Sequence, residues 1–353
     1  MTNTKIKVLI IDDSMVIRRG VTKILEAEND IKVVGSAKDP FEGRDKIVKL
    51  SPDVIILDIE MPRMDGLTFL EKLMRAKPMP VIIFSSLARE RSKYEIKAFD
   101  LGAVDVLEKP TNKNRIPEIS EELIDRVKKA GSLNRVQIGS LKRRLKNHTP
   151  SIGQRIEKNI LLEKPIIAIG ASTGGTHAIK KIVEKLPAKF PPIVMVQHMP
   201  KNFTTQFAKR LDDVSQLSIK EANGNEVLKN GVAYLAPGGM HMEVIKKGAY
   251  FYTKIKDGPL VYHQKPSVEI LFESVAKHIK SQALGIILTG MGADGAKGLL
   301  TMKQKGAFTI AQSEKSSTVF GMPKEAIRLN AVDKIVDLEQ IPNFLIQYLE
   351  RIS

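Results

Sequence analysis

The sequence predicts an α/β protein of two domains, each built on a largely parallel sheet. Three observations predict it. Short apolar runs alternate with amphipathic segments along most of the chain, which is the pattern of βαβ units. A length of 353 residues suits about two domains of roughly 100–200 residues. Between the two alternating regions lies a basic stretch, residues 126–164, that lacks the alternation.

In the first region the runs Lys7–Ile11, Val33–Ala37, Val54–Leu57, Val81–Phe84 and Val104–Leu107 predict five strands. Amphipathic segments separate them, one carrying Ile24 and Leu25 after Ser14, another Leu70, Leu73 and Met74. Five such units make one compact domain, residues 1–125. The segment 126–164 carries Gly131, Gly139, Pro150 and Gly153 among its charges. It reads as a linker, opening with a helix that continues from Ile119–Val127. In the third region, 165–353, runs recur at Ile166–Ile169, Ile193–Val196, Ala233–Leu235, Leu284–Leu288 and Phe308–Ala311. Met240–Ile255 reads instead as a β-hairpin turning at Lys247-Gly248.

Composition narrows the function classes. Hydrophobic residues make 42% and charged residues 27% of the chain, the balance of a soluble globular protein. No run approaches the roughly 18 apolar residues of a membrane span. The start, MTNTKIKVLIIDD, lacks a signal-peptide pattern. There is no Cys, which excludes a disulfide framework, a thiol nucleophile and a zinc–thiolate site. A cytoplasmic location is expected. The net charge of +16 is uneven: −1 over 1–125, +9 over 126–164 and +8 over 165–353. The basic segment reads either as a solvated linker or as a patch for nucleic acid or an acidic partner. Few aromatics interleave its charges, so base stacking is poorly supported.

In parallel α/β sheets functional groups gather beyond the carboxyl ends of the strands. Asp12 and Asp13 stand at the first such end, Asp58 at the third, Ser85 at the fourth and Lys109 at the fifth. Any one acid there could be a helix cap. Three converging carboxylates repel one another and call for a divalent cation, and all-oxygen ligands favour Mg²⁺. Asp58 is placed to accept a phosphoryl group as a carboxylate nucleophile. Asp13 and Asp58, beside Asp12 and with the Glu60 carbonyl, are the expected cation ligands. Lys109 and Ser85 are the expected phosphoryl supports.

The stretches IIDDSMVIRR, LDIEMPRMDG, FSS and EKP resemble the receiver domain of two-component response regulators, over nearly all of residues 5–125. The resemblance implies a (βα)5 receiver phosphorylated at Asp58. One position departs from it: where receivers carry an aromatic switch residue three before the lysine, this chain has Val106.

Residues 166–175 read IIAIGASTGG. Gly170–Gly174 fits G-x-S-x-G between a strand and a helix, a turn that exposes a Ser hydroxyl. A Gly-rich phosphate-binding turn is the alternative. A Ser nucleophile needs a base. Of six His, His198 ends a strand on the same carboxyl edge as Ser172. Asp294, in the turn after Leu284–Leu288, is the candidate orienting acid. The order Ser172, His198, Asp294 differs from the Ser, Asp/Glu, His order of α/β-hydrolases, so the chemistry would be convergent.

The stretches IGASTGGT, VQHMP, YLAPGG, TGMGADG and FGMPKEA together resemble the chemotaxis-type protein-glutamate methylesterases, the CheB family. With the receiver in front, the architecture matches end to end. The resemblance implies Ser172 as nucleophile, His198 as base, Asp294 as orienter and the Met291 N–H as an oxyanion donor. Most members have an acid where this chain has His177, which alters the charge of the rim. The implied substrate is a glutamyl methyl ester on the cytoplasmic helices of methyl-accepting chemoreceptors, with deamidation of receptor glutamines as related chemistry. The implied phosphodonor is the chemotaxis histidine kinase, with Mg²⁺ needed for phosphorylation alone. The receiver would cover the esterase cleft until Asp58 is phosphorylated. Nucleic acid and membrane insertion are not expected. Two other readings remain: a response regulator with a nucleic-acid-binding output domain, and a nucleotide-binding output domain using GASTGG. The first lacks a helix-turn-helix pattern and the second a Walker Lys.

Overall fold

The computed structural model describes residues 5–62, 64–85, 97–99, 101–110, 119–133, 165–201 and 203–352. The chain divides into two compact units, Met1–Thr149 and Pro150–Ser353.

The first unit holds strands β1 (Ile6–Ile11), β2 (Ile31–Ala37), β3 (Val54–Leu57), β4 (Val81–Ser85) and β5 (Asp105–Glu108). They form one sheet in the order β2-β1-β3-β4-β5, parallel at every pairing. Every expected run lies in or overlaps a strand, with Val104 just ahead of β5. Val8–Ile11 and Val54–Leu57 are all buried, because helices cover both faces of such a sheet. The chain leaves β1 for one neighbour and reaches β3 on the other side. That reversal opens a crevice at the carboxyl ends of β1 and β3.

Helices α1 (Met15–Glu26), α2 (Pro40–Leu50), α3 (Gly66–Ala76) and α4 (Ser120–Gly131) pack on this sheet. α1 buries Ile17, Val21 and Leu25, four residues apart on one stripe. Asp39 caps α2 by accepting the Phe41 and Glu42 N–H groups, and Asp65 caps α3 through Leu67 and Thr68. Each cap is worth about 1 kcal/mol. The helix at the start of the expected linker runs to Gly131 and buries Leu123, Val127 and Ala130. Its bases are committed to this unit: Arg126 pairs with Asp105 and Glu122, Lys128 with Glu28 and Asp30, and Lys129 with Asp125.

The second unit holds β6 (Ile166–Ala171), β7 (Ile193–Gln197), β8 (Ser218–Glu221), β9 (Val232–Leu235), β12 (Ala283–Ile287), β13 (Phe308–Gln312) and β14 (Lys334–Val336). These seven form a sheet in the order β14-β13-β12-β6-β7-β9-β8, again parallel throughout. The hairpin is present as β10 (His241–Lys247) and β11 (Tyr250–Lys256), paired antiparallel in a sheet of their own. Helices α5 (Gly175–Val183), α6 (Phe203–Asp212), α7 (Val268–His278), α8 (Ala296–Gln304), α9 (Met322–Arg328) and α10 (Ile341–Arg351) complete it. α7 presses Leu271, Phe272 and Val275 into a core that includes Leu299 and Met302 of α8. Each such burial contributes roughly 1.5–3 kcal/mol. β6 lies between β12 and β7, so the carboxyl edge of β6 is the switch point of this sheet. Among the described residues, no helix is long and apolar enough to cross a membrane.

Candidate active site and phosphorylation site

The first crevice collects every residue the sequence assigns to it. Asp12 and Asp13 follow β1, Asp58 follows β3, Ser85 ends β4 and Lys109 follows β5. Ligand oxygens of Asp12, Asp13 and Asp58 all lie within 4.8 Å of one another. Lys109 Nζ lies 2.7 Å from Asp12 Oδ2 and 2.8 Å from Asp58 Oδ2.

Burial pushes the Asp58 carboxyl up to about 6, against the charge and hydrogen bond of Lys109, and Asp12 adds to the rise. Burial likewise raises Asp12, against Lys109. Two buried acids on one lysine, with exposed Asp13 beside them, leave excess negative charge at the site. An all-oxygen donor set of this kind fits a hard divalent cation such as Mg²⁺. Asp12 Oδ1 holds the Ser14 N–H at 2.9 Å, and the Asp58 carboxylate takes the Glu60 N–H. Ser85 and Glu60 line a cleft of about 700 Å³ with Met61, Thr68 and Lys97. Gly66 is required where α3 begins: a Cβ there would come 2.0 Å from the Asp58 carbonyl oxygen. Val106 is 1% exposed, a core residue with no ring to swing.

The second site forms at the edge of β6 and β7. Ser172 follows β6 and His198 follows β7. The His198 N–H donates to Ala171 O at 3.1 Å, which sets the two strand ends side by side. The Gln197 amide nitrogen then binds both backbones, at 3.0 Å from Ser172 O and 3.2 Å from His198 O. The His198 side chain is 5% exposed. Its Nε2 lies 2.7 Å from Asp294 Oδ2. Its Nδ1 is buried and makes no hydrogen bond among the described residues. A carboxylate only accepts, so Nε2 carries the proton shared with Asp294 and Nδ1 is the ring nitrogen left without a partner among the described residues.

Asp294 does not stand on a strand end; it lies in the turn that precedes α8. Four donors converge on its carboxylate. Oδ2 takes the Val268 N–H at 2.7 Å besides His198, while Oδ1 takes Ser267 Oγ at 2.8 Å and the Glu269 N–H at 2.9 Å. Asp294 thus occupies the N-terminus of α7, where unpaired N–H groups favour an anion. Burial works against ionisation, but the His198 bond and charge, with the Glu269 N–H and Ser267, hold Asp294 below the usual carboxylate range.

The loop bearing Met291 sits against the same serine. A Cβ on Gly290 would lie 2.8 Å from Ser172 Cβ and 2.2 Å from Met322 Sδ, so only glycine allows that approach. The Ser172 N–H is spent on Thr289 O at 3.1 Å. The Met291 N–H makes no hydrogen bond among the described residues. Half-buried His177 lies one helical turn on, in α5.

Several participants were not read from the sequence. Thr289 Oγ1 accepts the Thr318 and Val319 N–H groups at 3.0 and 2.9 Å and donates to Thr173 O at 2.9 Å. It ties three loops together. His241 is fully buried, with Nε2 2.9 Å from Pro259 O and Nδ1 accepting the Ser267 N–H at 3.2 Å. A Ser before an apolar helix signals an N-cap, yet Ser267 makes no cap bond to α7 and donates to Asp294 instead.

Two parallel-sheet units, one with an acid pocket around Lys109 and one with Ser, His and Asp at a switch point, define a response regulator with an enzymatic output domain. Comparison with known proteins agrees. The profile of the CheB methylesterase family matches residues 167–345, and that of the response regulator receiver domain matches 8–121. A protein-glutamate methylesterase/protein-glutamine glutaminase of Syntrophus aciditrophicus (strain SB) is 50% identical over 98% of this chain and 99% of its own. One from Salmonella typhi is 46% identical over 99% of this chain and 98% of its own. The crystal structure of the Thermotoga maritima CheB methylesterase catalytic domain matches with a TM-score of 0.52 and 37% identity, over 53% of this chain and all of that one. The chain belongs to the CheB methylesterase family and carries a response regulator receiver domain.

Proposed function

We propose that this protein hydrolyses glutamyl methyl esters on methyl-accepting chemoreceptors during chemotaxis adaptation, and deamidates specific receptor glutamines by the same acyl chemistry. The observation that carries the reading is the His198–Asp294 bond of 2.7 Å, with Nδ1 unbonded at the edge that bears Ser172. Ser172 Oγ attacks the ester carbonyl carbon while His198 Nδ1 takes the hydroxyl proton. Asp294, held ionised by the start of α7, fixes the tautomer with its proton on Nε2 and stabilises the imidazolium. The Met291 N–H receives the charge on the tetrahedral oxygen. His198 returns its proton to the departing methanol. It then takes a proton from water, whose oxygen attacks the acyl carbon, and passes that proton to Ser172 Oγ as the acyl–serine bond breaks and glutamate is released. General-base help of this kind contributes about 10²–10⁴-fold.

The domain plan is a receiver over 1–125, a basic linker over 126–164 and an esterase over 165–353. The chemotaxis histidine kinase phosphorylates Asp58. The Asp12, Asp13 and Asp58 carboxylates and the Glu60 carbonyl would hold Mg²⁺, which supplies positive charge against the transferring oxygens. Lys109 neutralises the phosphoryl group and Ser85 donates to it. The dianion raises esterase activity by favouring one receiver surface over another; without such a difference it would shift nothing. The protein works in the cytoplasm, with Mg²⁺ needed for phosphorylation alone.

Methanol release from a methylated receptor fragment tests both halves. Wild type is expected to release methanol faster with acetyl phosphate and Mg²⁺, and Ser172→Ala to release none. Release indifferent to phosphodonor would remove the receiver gate and leave the esterase. Release that survives Ser172→Ala would remove the nucleophile.

A further inference from the structure

Glu269 is a buried carboxylate that ester hydrolysis leaves without a task. It is the second residue of α7 and 6% exposed. Its Oε2 accepts the Gly295 N–H at 3.1 Å, and its carboxylate also takes a backbone hydrogen bond from Gly298. Gly295 follows Asp294 and opens α8. The bond is returned, since Asp294 accepts the Val268 and Glu269 N–H groups. Each acid therefore caps the helix that carries or follows the other.

A glutamine could accept the Gly295 N–H equally well. Two neighbouring carboxylates in a desolvated site instead repel one another and resist ionisation. The clasp explains a hydrogen-bond acceptor at this position but not a charge. A charge there acts on His198 across Asp294, because hydrolysis turns that ring into an imidazolium. Resting on the esterase reading above, we propose that Glu269 is a positioning residue. It clasps the start of α8 so that Asp294 stays aimed at His198, and its charge helps hold the protonated imidazole. The groups that face it are Asp294 from the turn and Glu273 from its own helix, with His198 beyond Asp294. Burial above all, with the charges of Asp294 and Glu273, pushes the Glu269 carboxyl up to about 7.

The test uses the full chain with acetyl phosphate, Mg²⁺ and a methylated receptor fragment, comparing wild type with Glu269→Ala, Glu269→Gln and Ser172→Ala. Glu269→Ala is expected to lower kcat about tenfold or more with KM within about twofold, the mark of an interaction used in the transition state. Glu269→Gln matches wild type near pH 6, where Glu269 is itself protonated, and falls below it above pH 8, where only wild type holds the charge. Proton NMR of the His198 Nε2–H follows the bond to Asp294 directly and is expected to shift in Glu269→Ala. Wild-type kcat at every pH in both variants would overturn the assignment. So would a kcat loss that tracks the melting temperature while the His198 resonance stays put. If Ser172→Ala still releases methanol, the esterase reading fails first; if it is inactive and the Glu269 variants behave as wild type, only the role of Glu269 fails.

Discussion

Asp294 and Glu269 sit in one buried clasp and titrate in opposite directions. Asp294 is depressed, so its share of stability is present above the ordinary carboxylate pKa and is lost as pH falls through its folded value. Glu269 is raised to about 7 from 4.5. Its contribution is full below about 4.5 and is lost as pH rises through about 7, on the order of 3 kcal/mol for a shift of that size. Glu269→Gln removes the ionisation and keeps the acceptor. We predict that it melts several degrees above wild type at pH 8, with the gap shrinking toward pH 5. Calorimetry across that range checks this, and an equal gap at both ends would refute it. The variant would then be the more stable and the less active protein, as expected where a functional site holds strain. At this scale the sequence was informative where role follows from local position. Ser172 and His198 stand directly at strand ends, and Asp294 follows one closely. Glu269, Ser267, His241 and Thr289 owe their roles to partners 18 to 116 residues away, and no window of sequence contains such a pair.

Elements explain why those distant residues meet. Every apolar run read as a strand lies in or overlaps one, because strands covered on both faces cannot hide their composition. β8 and β14 escaped. They are the edges of the seven-stranded sheet, and their residues Ser218–Glu221 and Lys334–Val336 are largely polar or exposed, as edges are. The loops at the carboxyl edge are positioned less by their own sequence than by Thr289. One hydroxyl, 1% exposed, serves the nucleophile turn, the Met291 loop and residues 318–319. Thr289→Val keeps the shape and orphans two buried N–H groups, each worth about 1–3 kcal/mol. We predict a loss of roughly 2–6 kcal/mol in urea unfolding and a fall in kcat larger than the rise in KM. Thr289→Ser should recover both. If the valine variant unfolds at the wild-type midpoint, Thr289 is not the tie the geometry makes it.

For the whole molecule the deciding quantity is where its charge lies. The segment 126–164 carries eleven bases and two acids. Arg126, Lys128 and Lys129 are already paired on the first unit, so the excess available to a partner comes from residues 134–164, which lie outside the described structure. A substrate that presents clustered glutamates would be attracted to it over a Debye length of about 8 Å at physiological salt. Replacing Lys142, Arg143, Arg144 and Lys146 together with Gln tests whether this charge serves the reaction or only solvates a linker. We predict a several-fold rise in KM for the receptor fragment at about 50 mM salt, an unchanged kcat, and no difference at about 0.5 M, where the Debye length falls below roughly 5 Å. A free polyanion should then compete with substrate for wild type and not for the variant. If KM is the same for both proteins at every ionic strength, the basic segment is a tether. Receptor recognition would then lie in the esterase unit alone.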